Sequence, residues 1–466
     1  MNKLFFIVCL LFSVSVKSQN WDSIRGGKLS NYVERVLYDS VHNKLLVSGK
    51  NINKIGSLPV RGIMSWDGTK WDSLAGGINT HDKTFNPNNP NGTIYSCIPY
   101  NGKLLAGGIF QSVGGIYTQC LGLWDGNKWD SLPKRAFRAG SGNAAVVGFL
   151  KFNSKLYIYG QFDSIAKQPT QSMGYWDGVN FNPIILPVNN VLAVNSLIVF
   201  QNELYVGGTF FHTTMTDPKN QILKWNGTSW VSVGGGIPGV VSRIYSMAIY
   251  NNELYVAGRF FKADGNAGEH IQKWDGSQWR DVGFGGEPSG AVWKLIVFHN
   301  KLWALGSYQI SAYIPSYCLS VYDGNKWCAL QDSVDNGITG ADIYNDTLYI
   351  GGGFQNIVGL PNVKYLAKIK NENLYGQCKT VGINELVSNE NQIKIYPNPV
   401  SNKLQIETEQ NEFENSEIEI TNTLGQTVLK LHYSNEIDVS KITQGFYQLK
   451  ISTRNKKLYY SKFIKE

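Results

Sequence analysis

Six histidines, His42, His81, His212, His270, His299 and His432, are the side chains best suited to holding a metal or relaying a proton. Their spacing supports neither role. They form no H-E-x-x-H pair and have no cysteine neighbours, so no metal site is signalled. Gly-x-Ser-x-Gly, phosphate-loop and dinucleotide fingerprints are missing from strand-to-helix settings, so no cofactor and no catalytic set are expected. Asp264-Gly265-Asn266 has residue types that suit calcium, but it reads first as a solvated turn. Gly234-Gly235-Gly236 and Gly285-Gly286 read as tight connections rather than phosphate loops. What remains is binding by loops, for which the candidates are Arg135, Phe137, Arg138, His212, Asp217, Phe261, Asp264, Glu269 and His270.

The elements that position these loops are set by a repeat. A polar turn, a leucine and a short strand recur at Leu45, Leu104, Leu156, Leu204, Leu254, Leu302 and Leu348, at a spacing of roughly 46 to 59 residues. Four residues later stands Gly49, Gly108, Gly160, Gly208, Gly258, Gly306 or Gly352. Two further on, all copies but the first place an aromatic: Phe110, Phe162, Phe210, Phe260, Tyr308 and Phe354. His42 and His299 fall in the polar turn, which makes them turn residues.

Each copy closes with two aromatics around an Asp-Gly or Asn-Gly turn: Trp66/Trp71, Trp124/Trp129, Trp176/Phe181, Trp225/Trp230, Trp274/Trp279 and Tyr322/Trp327, with an eroded copy at Ile369/Leu374. Such turns tolerate the positive φ that tight hairpins need, and the aromatics can meet across them. In the fifth copy the strands read Tyr245 to Tyr250, Leu254 to Ala257, His270 to Trp274 and Trp279 to Val282. Four antiparallel strands repeated in seven units predict an all-β, seven-bladed β-propeller. Trp21-Asp22-Ser23-Ile24 matches Trp71-Asp72-Ser73-Leu74, so the N-terminal segment is expected to supply the fourth strand of the last blade. Because the tryptophans recur in every copy, they read as packing between neighbouring units rather than as a sugar platform. Turns between strands one and two and between three and four are short. The connections from two to three and from four to one are longer and variable and share the opposite face, including the Asn/Pro-rich insertion at Phe85 to Gly92.

Composition agrees with an ordered, glycine-punctuated domain. The 466 residues are 42% hydrophobic, 13% aromatic and 17% charged, with 49 glycines, which excludes disorder, collagen and coiled coil. The net charge of +8 is spread without basic blocks, so no nucleic-acid partner is expected. Outside the leader the five cysteines Cys97, Cys120, Cys318, Cys328 and Cys378 are scattered, so bridges are not what holds the fold. Lys3, an apolar run from Leu4 to Val16 and small residues up to Ser18 read as a secretory signal peptide over 1–18. No later segment is long and apolar enough to be a transmembrane helix, and the mature chain is expected to be a monomer.

The unit resembles the blades of kelch and galactose-oxidase proteins, and more closely the G-x-F…W-[DN]-G-x-x-W repeats of bacterial surface proteins and fungal cortical landmark proteins, over about residues 21 to 376. It departs from kelch in its double glycine, present only at Gly107-Gly108, Gly207-Gly208 and Gly351-Gly352, and in an aromatic spacing of five. The resemblance implies the propeller fold but no kelch partner. The tyrosine, histidine and cross-linked cysteine that hold copper in galactose oxidase cannot be assembled here.

After Leu374 the pattern changes to short strands separated by turns, as in a small β-sandwich. Tyr396-Pro397-Asn398-Pro399, the Asn422 to Gln426 block with Gly425, Gly445-Phe446-Tyr447 and Lys462-Phe463-Ile464-Lys465 are similar to the C-terminal sorting domain of the type IX secretion system of Bacteroidota, over about 381 to 466. That resemblance implies export machinery as a partner and a place outside the cell or on the outer-membrane surface. The expected organisation is therefore a signal peptide over 1–18, a propeller over 19–378, a linker over 379–391 and a sorting domain over 392–466. The expected function is non-enzymatic binding of a protein or glycan through the variable-loop face, with a polysaccharide hydrolase or lyase sited at the axis as the alternative.

Overall fold

The computed structural model describes residues 21–24, 28–79, 92–132, 137–138, 144–211, 221–239, 241–285, 290–311, 314–329, 334–357, 363–369, 379–381, 393–407, 413, 416–422, 426–453 and 458–466. The signal peptide, most of the 85–92 insertion, Leu374 and most of the linker lie outside these residues. The chain divides into two compact units, Met1–Gly382 and Ile383–Glu466.

Among the described residues, the first unit holds seven antiparallel sheets of at least four strands, six of them taken in chain order from inner to outer strand. The fifth sheet runs Arg243–Tyr250, Glu253–Arg259, Ile271–Trp274 and Trp279–Asp281, close to the strands the repeat predicts. The inner strands of the seven are Arg35–Asp39, Thr93–Tyr100, Ala145–Phe152, Asn190–Phe200, Arg243–Tyr250, Ala291–Phe298 and Ile338–Tyr344. Each lies against the next, and Ile338–Tyr344 lies against Arg35–Asp39. The outer strand of the seventh sheet is Trp21–Asp22, with Trp21 opposite Ile369 and Asp22 opposite Lys368. Lys379–Val381, placed in the linker by the sequence reading, instead pairs as a fifth strand with Trp327–Ala329 of the sixth sheet.

Alternation along each strand explains the packing, because successive side chains point to opposite faces. Leu104 and Ala106 join a cluster with the first sheet, whereas Leu105 joins one with the third. Leu254 and Val256 pack towards the fourth sheet, Tyr255 and Ala257 towards the sixth. Seven such clusters each draw on two successive sheets, one of them on the seventh and the first. The recurring aromatics lie within them, and their rings meet across the hairpins at centroid separations of 4.6 Å for Trp176/Phe181 and 5.5 Å for Trp225/Trp230. Three indoles also donate Nε1–H to the preceding unit's carbonyls: Trp129 to Leu74 at 2.9 Å, Trp279 to Val233 and Trp327 to Val282 at 3.0 Å. Full burial of a large apolar side chain contributes roughly 1.5–3 kcal/mol, so the tryptophans are accounted for as structure.

The second unit has two antiparallel sheets. One joins Lys394–Tyr396, Lys403–Glu407 and Glu436–Asp438; the other joins Thr427–His432, Glu417–Asn422, Gly445–Ser452 and Leu458–Lys465. Leu404, Ile406 and Ile437 of the first share a cluster with Ile418, Leu449 and Phe463 of the second.

Candidate functional site: a cavity lined by six bulges and Glu34

The repeat glycine has a steric cause. A Cβ on Gly258 would lie 1.9 Å from the Arg243 carbonyl oxygen of the inner strand, on Gly108 2.0 Å from that of Thr93, and on Gly306 2.1 Å from that of Ala291. This close approach accompanies a β-bulge, where the inner strand carries one residue more than its partner. The unpaired residues are Tyr95, Val147, Asn195, Tyr245, Trp293 and Thr339. In the first sheet Glu34 holds the equivalent place, its N–H donating to Ser48 O at 2.9 Å. All seven line one cavity of about 850 Å³. The sequence reading missed them, although six stand thirteen positions before the repeat glycine.

Side chains at the cavity wall also tie neighbouring inner strands together. Asn195 Nδ2 donates to Ile244 O at 2.8 Å, Ser196 Oγ accepts from Met247 N at 3.2 Å, and Ser246 Oγ accepts from Leu295 N at 3.0 Å. Thr339 Oγ1 donates to Val33 O at 2.6 Å, and Asp342 accepts from the N–H of Tyr38 and its neighbour Ile343, each at 2.8 Å. These contacts satisfy edge groups of inner strands, which would otherwise stay unpaired.

Charge gathers between the sixth, seventh and first sheets. Arg35 Nη1 donates to Glu34 O at 2.7 Å and Thr339 O at 3.1 Å, and its guanidinium lies 4.9 Å from the centre of the Tyr95 ring. Glu34 Oε1 accepts from Tyr32 OH at 3.2 Å and lies 3.6 Å from Lys50 Nζ, while its buried Oε2 has no partner among the described residues. Burial lowers the pKa of Lys294, with Asp342 opposing the shift, and burial raises that of Asp342, with Lys294 opposing. Lys294 is exposed to the cavity yet walled in by the sheets around it. Burial pushes Tyr95 and Tyr159 up to about 12, so both remain neutral donors at physiological pH. Among the described residues no histidine lines the cavity. Asp342 is held by two backbone N–H groups and Glu34 Oε1 by the Tyr32 hydroxyl beside Lys50.

Of the loop candidates, the described side chains are those of Phe261, Asp264, Glu269 and His270, which share one connection. Arg135, His212 and Asp217 lie outside the described residues. Phe137–Arg138 forms a short strand paired with Ser164–Ile165, and the side chains of Phe137 and Arg138 lie outside the described set. His270 is a correction: it is fully buried, not displayed. With φ of 57° it closes the loop, donating N–H to Phe260 O and accepting from Gly258 N, both at 3.0 Å. Cys120, Ser172 and Tyr365 hold the same slot in other sheets, with positive φ and N–H bonds to Phe110, Phe162 and Phe354. Around it, the Phe261 ring meets His270 edge-on at 5.4 Å, Glu269 accepts from Lys262 N at 3.0 Å, and Asp264 ends a single 3-10 turn. Asn266 Nδ2 donates inward to Pro238 O and Phe261 O. Among the described residues there is no group of three His, Cys, Asp or Glu able to hold a metal, and Cys97, Cys120, Cys318 and Cys328 are free thiols.

The second unit does assemble its motif. Asn398, in the exposed turn Tyr396-Pro397-Asn398-Pro399, clamps the last strand: its Oδ1 accepts from Ile464 N at 2.9 Å and its Nδ2 donates to Lys462 O at 3.0 Å. Tyr447, which follows Gly445, is buried, stacks on Phe463 at 5.6 Å and donates its hydroxyl to Thr443 O at 2.8 Å. Lys465 is buried and bridges Val400. Asn398, Phe446, Tyr447 and Lys462 border a cleft of about 580 Å³. Gly425 lies outside the described residues.

Residues 394–466 match the family model of the secretion system C-terminal sorting domain. The chain therefore carries a type IX sorting tail, which implies interaction with that export machinery and directs the protein to the cell surface or outside. Among the described residues no helix is long and apolar enough to cross a membrane. No curated protein matches the chain. Solved structures similar to it include two extracellular domains of BT4673 from B. thetaiotaomicron. One, named for a one component system, has 12% identity and a TM-score of 0.47 over 93% of this chain and 51% of that one. The other, named for a hybrid two component system, has 13% identity and a TM-score of 0.44 over 97% of this chain and 59% of that one. A luciferin-regenerating enzyme has 10% identity and a TM-score of 0.30 over 78% of this chain and 99% of that one. The chain spans between half and two thirds of the length of the first two.

Proposed function

We propose that the first unit is a seven-bladed β-propeller that binds a protein or glycan outside the cell without turning it over, approached from the face that carries its variable loops. The cyclic order of inner-strand contacts and the seven clusters shared between successive sheets support the closed ring. On this reading residues 1–18 are a signal peptide removed on export, the ring runs from 19 to the strand at Lys379–Val381, and 392–466 is a β-sandwich sorting domain.

The observation that carries the binding reading is the convergence of six bulge residues and Glu34, of different chemistry, on one cavity. The bulges lie near the start of each inner strand and the repeat glycines near the end of the second. From that end the variable connections leave, so the loops frame the mouth and the bulges form the wall. The alternative, an extracellular polysaccharide hydrolase or lyase, draws support from Glu34 and Asp342 in the same cavity. Glycan arrays probed with the purified protein, alongside turnover assays on the same polymers, test the choice. Retention of a ligand without release of new chain ends is expected, and release of such ends would overturn the binding reading.

A further inference from the structure

We infer that the axial cavity takes an acidic glycan, binding the carboxylate of a uronic acid unit between Lys294 and Arg35. This rests on the reading of that cavity as a binding site and specifies its ligand.

Three observations carry it. The first is an ammonium group without a protein counter-ion in contact. Lys294 projects into the cavity and makes no hydrogen bond or ion pair with a described residue, while Asp342, its acidic neighbour, is occupied by two backbone N–H groups. The ammonium is exposed to the cavity with Asp342 near but not in contact, so it is available to a ligand anion. Arg35 comes second. Its Nη1 is spent on two carbonyls, which fixes the plane of the guanidinium, and the Tyr95 ring supports one face at 4.9 Å. A guanidinium held in this way offers its remaining N–H groups to a planar oxyanion in a preset orientation. Third, Tyr95, Tyr245 and Trp293 line the same cavity.

The ligand must therefore carry an anion and, close to it, an apolar C–H face. A uronic acid has both on one ring. The other bulge residues fit the same class, because Tyr95, Tyr245 and Trp293 present aromatic surface to sugar C–H faces while Asn195 and Thr339 supply polar groups. A peptide carboxylate would satisfy the cations, but its side chain brings no ring C–H face to the aromatic wall. The volume of about 850 Å³ admits an oligomer of several sugar units.

The test uses the full exported chain and titration calorimetry with trigalacturonate, its fully methyl-esterified form and triglutamate. Trigalacturonate is expected to bind at least about tenfold more tightly than its ester or the peptide, the scale of one charge-assisted contact. Lys294→Met should bring the acid down to the ester's affinity, and Lys294→Arg should keep the preference. Because Lys294 makes no bond to a described residue, both variants should keep the melting temperature, and Lys294→Gln provides a second neutral variant. Equal binding of acid and ester would overturn the charge assignment and leave the binding reading standing. Preferential binding of triglutamate, an unaffected Lys294→Met, or no binding of either trimer would also overturn it. Release of new reducing ends would instead strike the non-enzymatic reading, whatever the charge preference.

Discussion

Trp21 faces Ile369 across an antiparallel pair, occupying the place that Trp71, Trp129, Trp230, Trp279 and Trp327 fill in their own sheets. The residue belongs by sequence to the front of the chain and by packing to the seventh sheet, where it is 2% exposed among Ile338, Leu348 and Phe354. Trp21→Ala removes a buried indole from that cluster and should cost about 3–5 kcal/mol. Urea unfolding of the isolated protein measures it, and a loss below about 1 kcal/mol would mean that the terminal strand is dispensable.

Gly258→Ala places a methyl group 1.9 Å from the Arg243 carbonyl, a backbone atom that cannot move without undoing the bulge. A loss of roughly 2 kcal/mol or more is expected, with lower expression. Gly353→Ala is the control, since its nearest neighbour would be 3.5 Å away and its φ is not positive. It should shift the thermal midpoint by less than a degree or two, or raise it.

Trp327→Phe keeps most of the ring in the cluster but removes the donor to Val282 O. Leaving that carbonyl unpaired at a fully buried site should cost about 1–3 kcal/mol. A calorimetric melt compares it with Trp71→Phe, a half-buried member of the same series that should cost less.

Asp67 accepts from Thr69 N at 2.8 Å and Lys70 N at 2.9 Å, and these bonds hold its carboxyl down at about 2. A depressed folded pKa adds stability above the unfolded carboxyl value, and that contribution is lost as pH falls from about 4 towards 2. Asn226 makes the same two bonds in the fourth sheet without titrating. Asp67→Asn should therefore leave stability at pH 7 nearly unchanged and flatten the acid limb of a midpoint-against-pH curve. An unchanged acid limb would assign the acid sensitivity to other groups.

Removal of residues 390–466 should stop export at the periplasm, which fractionation detects. The single change Asn398→Ala frees Ile464 N and Lys462 O from their clamp and should lower secretion while the first unit still folds.

The sheets and their order were legible in the sequence because each repeat carries its own punctuation: Asp-Gly and Asn-Gly turns, paired aromatics and alternating apolar residues. The terminal strand was legible for the same reason, as a fourth-strand sequence without its first three. The sorting motif was legible because its blocks are contiguous. The cavity was not. Its wall is built from single residues of seven different sheets, Glu34 just before its strand and six on theirs, whose types differ from copy to copy and so leave no repeat signal. The glycine marked the bulge, but only the carbonyl beneath it reveals why an extra residue turns inward. His270 misled in the opposite direction, since a histidine on a long connection suggests display, whereas its backbone angles make it the closing residue of that loop.

The pairing of Trp21–Asp22 with Lys368 and Ile369 also dictates a timetable. Residues synthesised at the very beginning must wait as an unmatched ribbon until nearly the whole unit has emerged, because their partner is among its last portions. Local hairpins can zip as they appear, but the final stitch joins the most distant points of the unit and is its slowest closure. A chain halted before Leu366 would hold five finished sheets, a sixth lacking its last strand, and two sticky margins, a state prone to stray association until the seam is sewn.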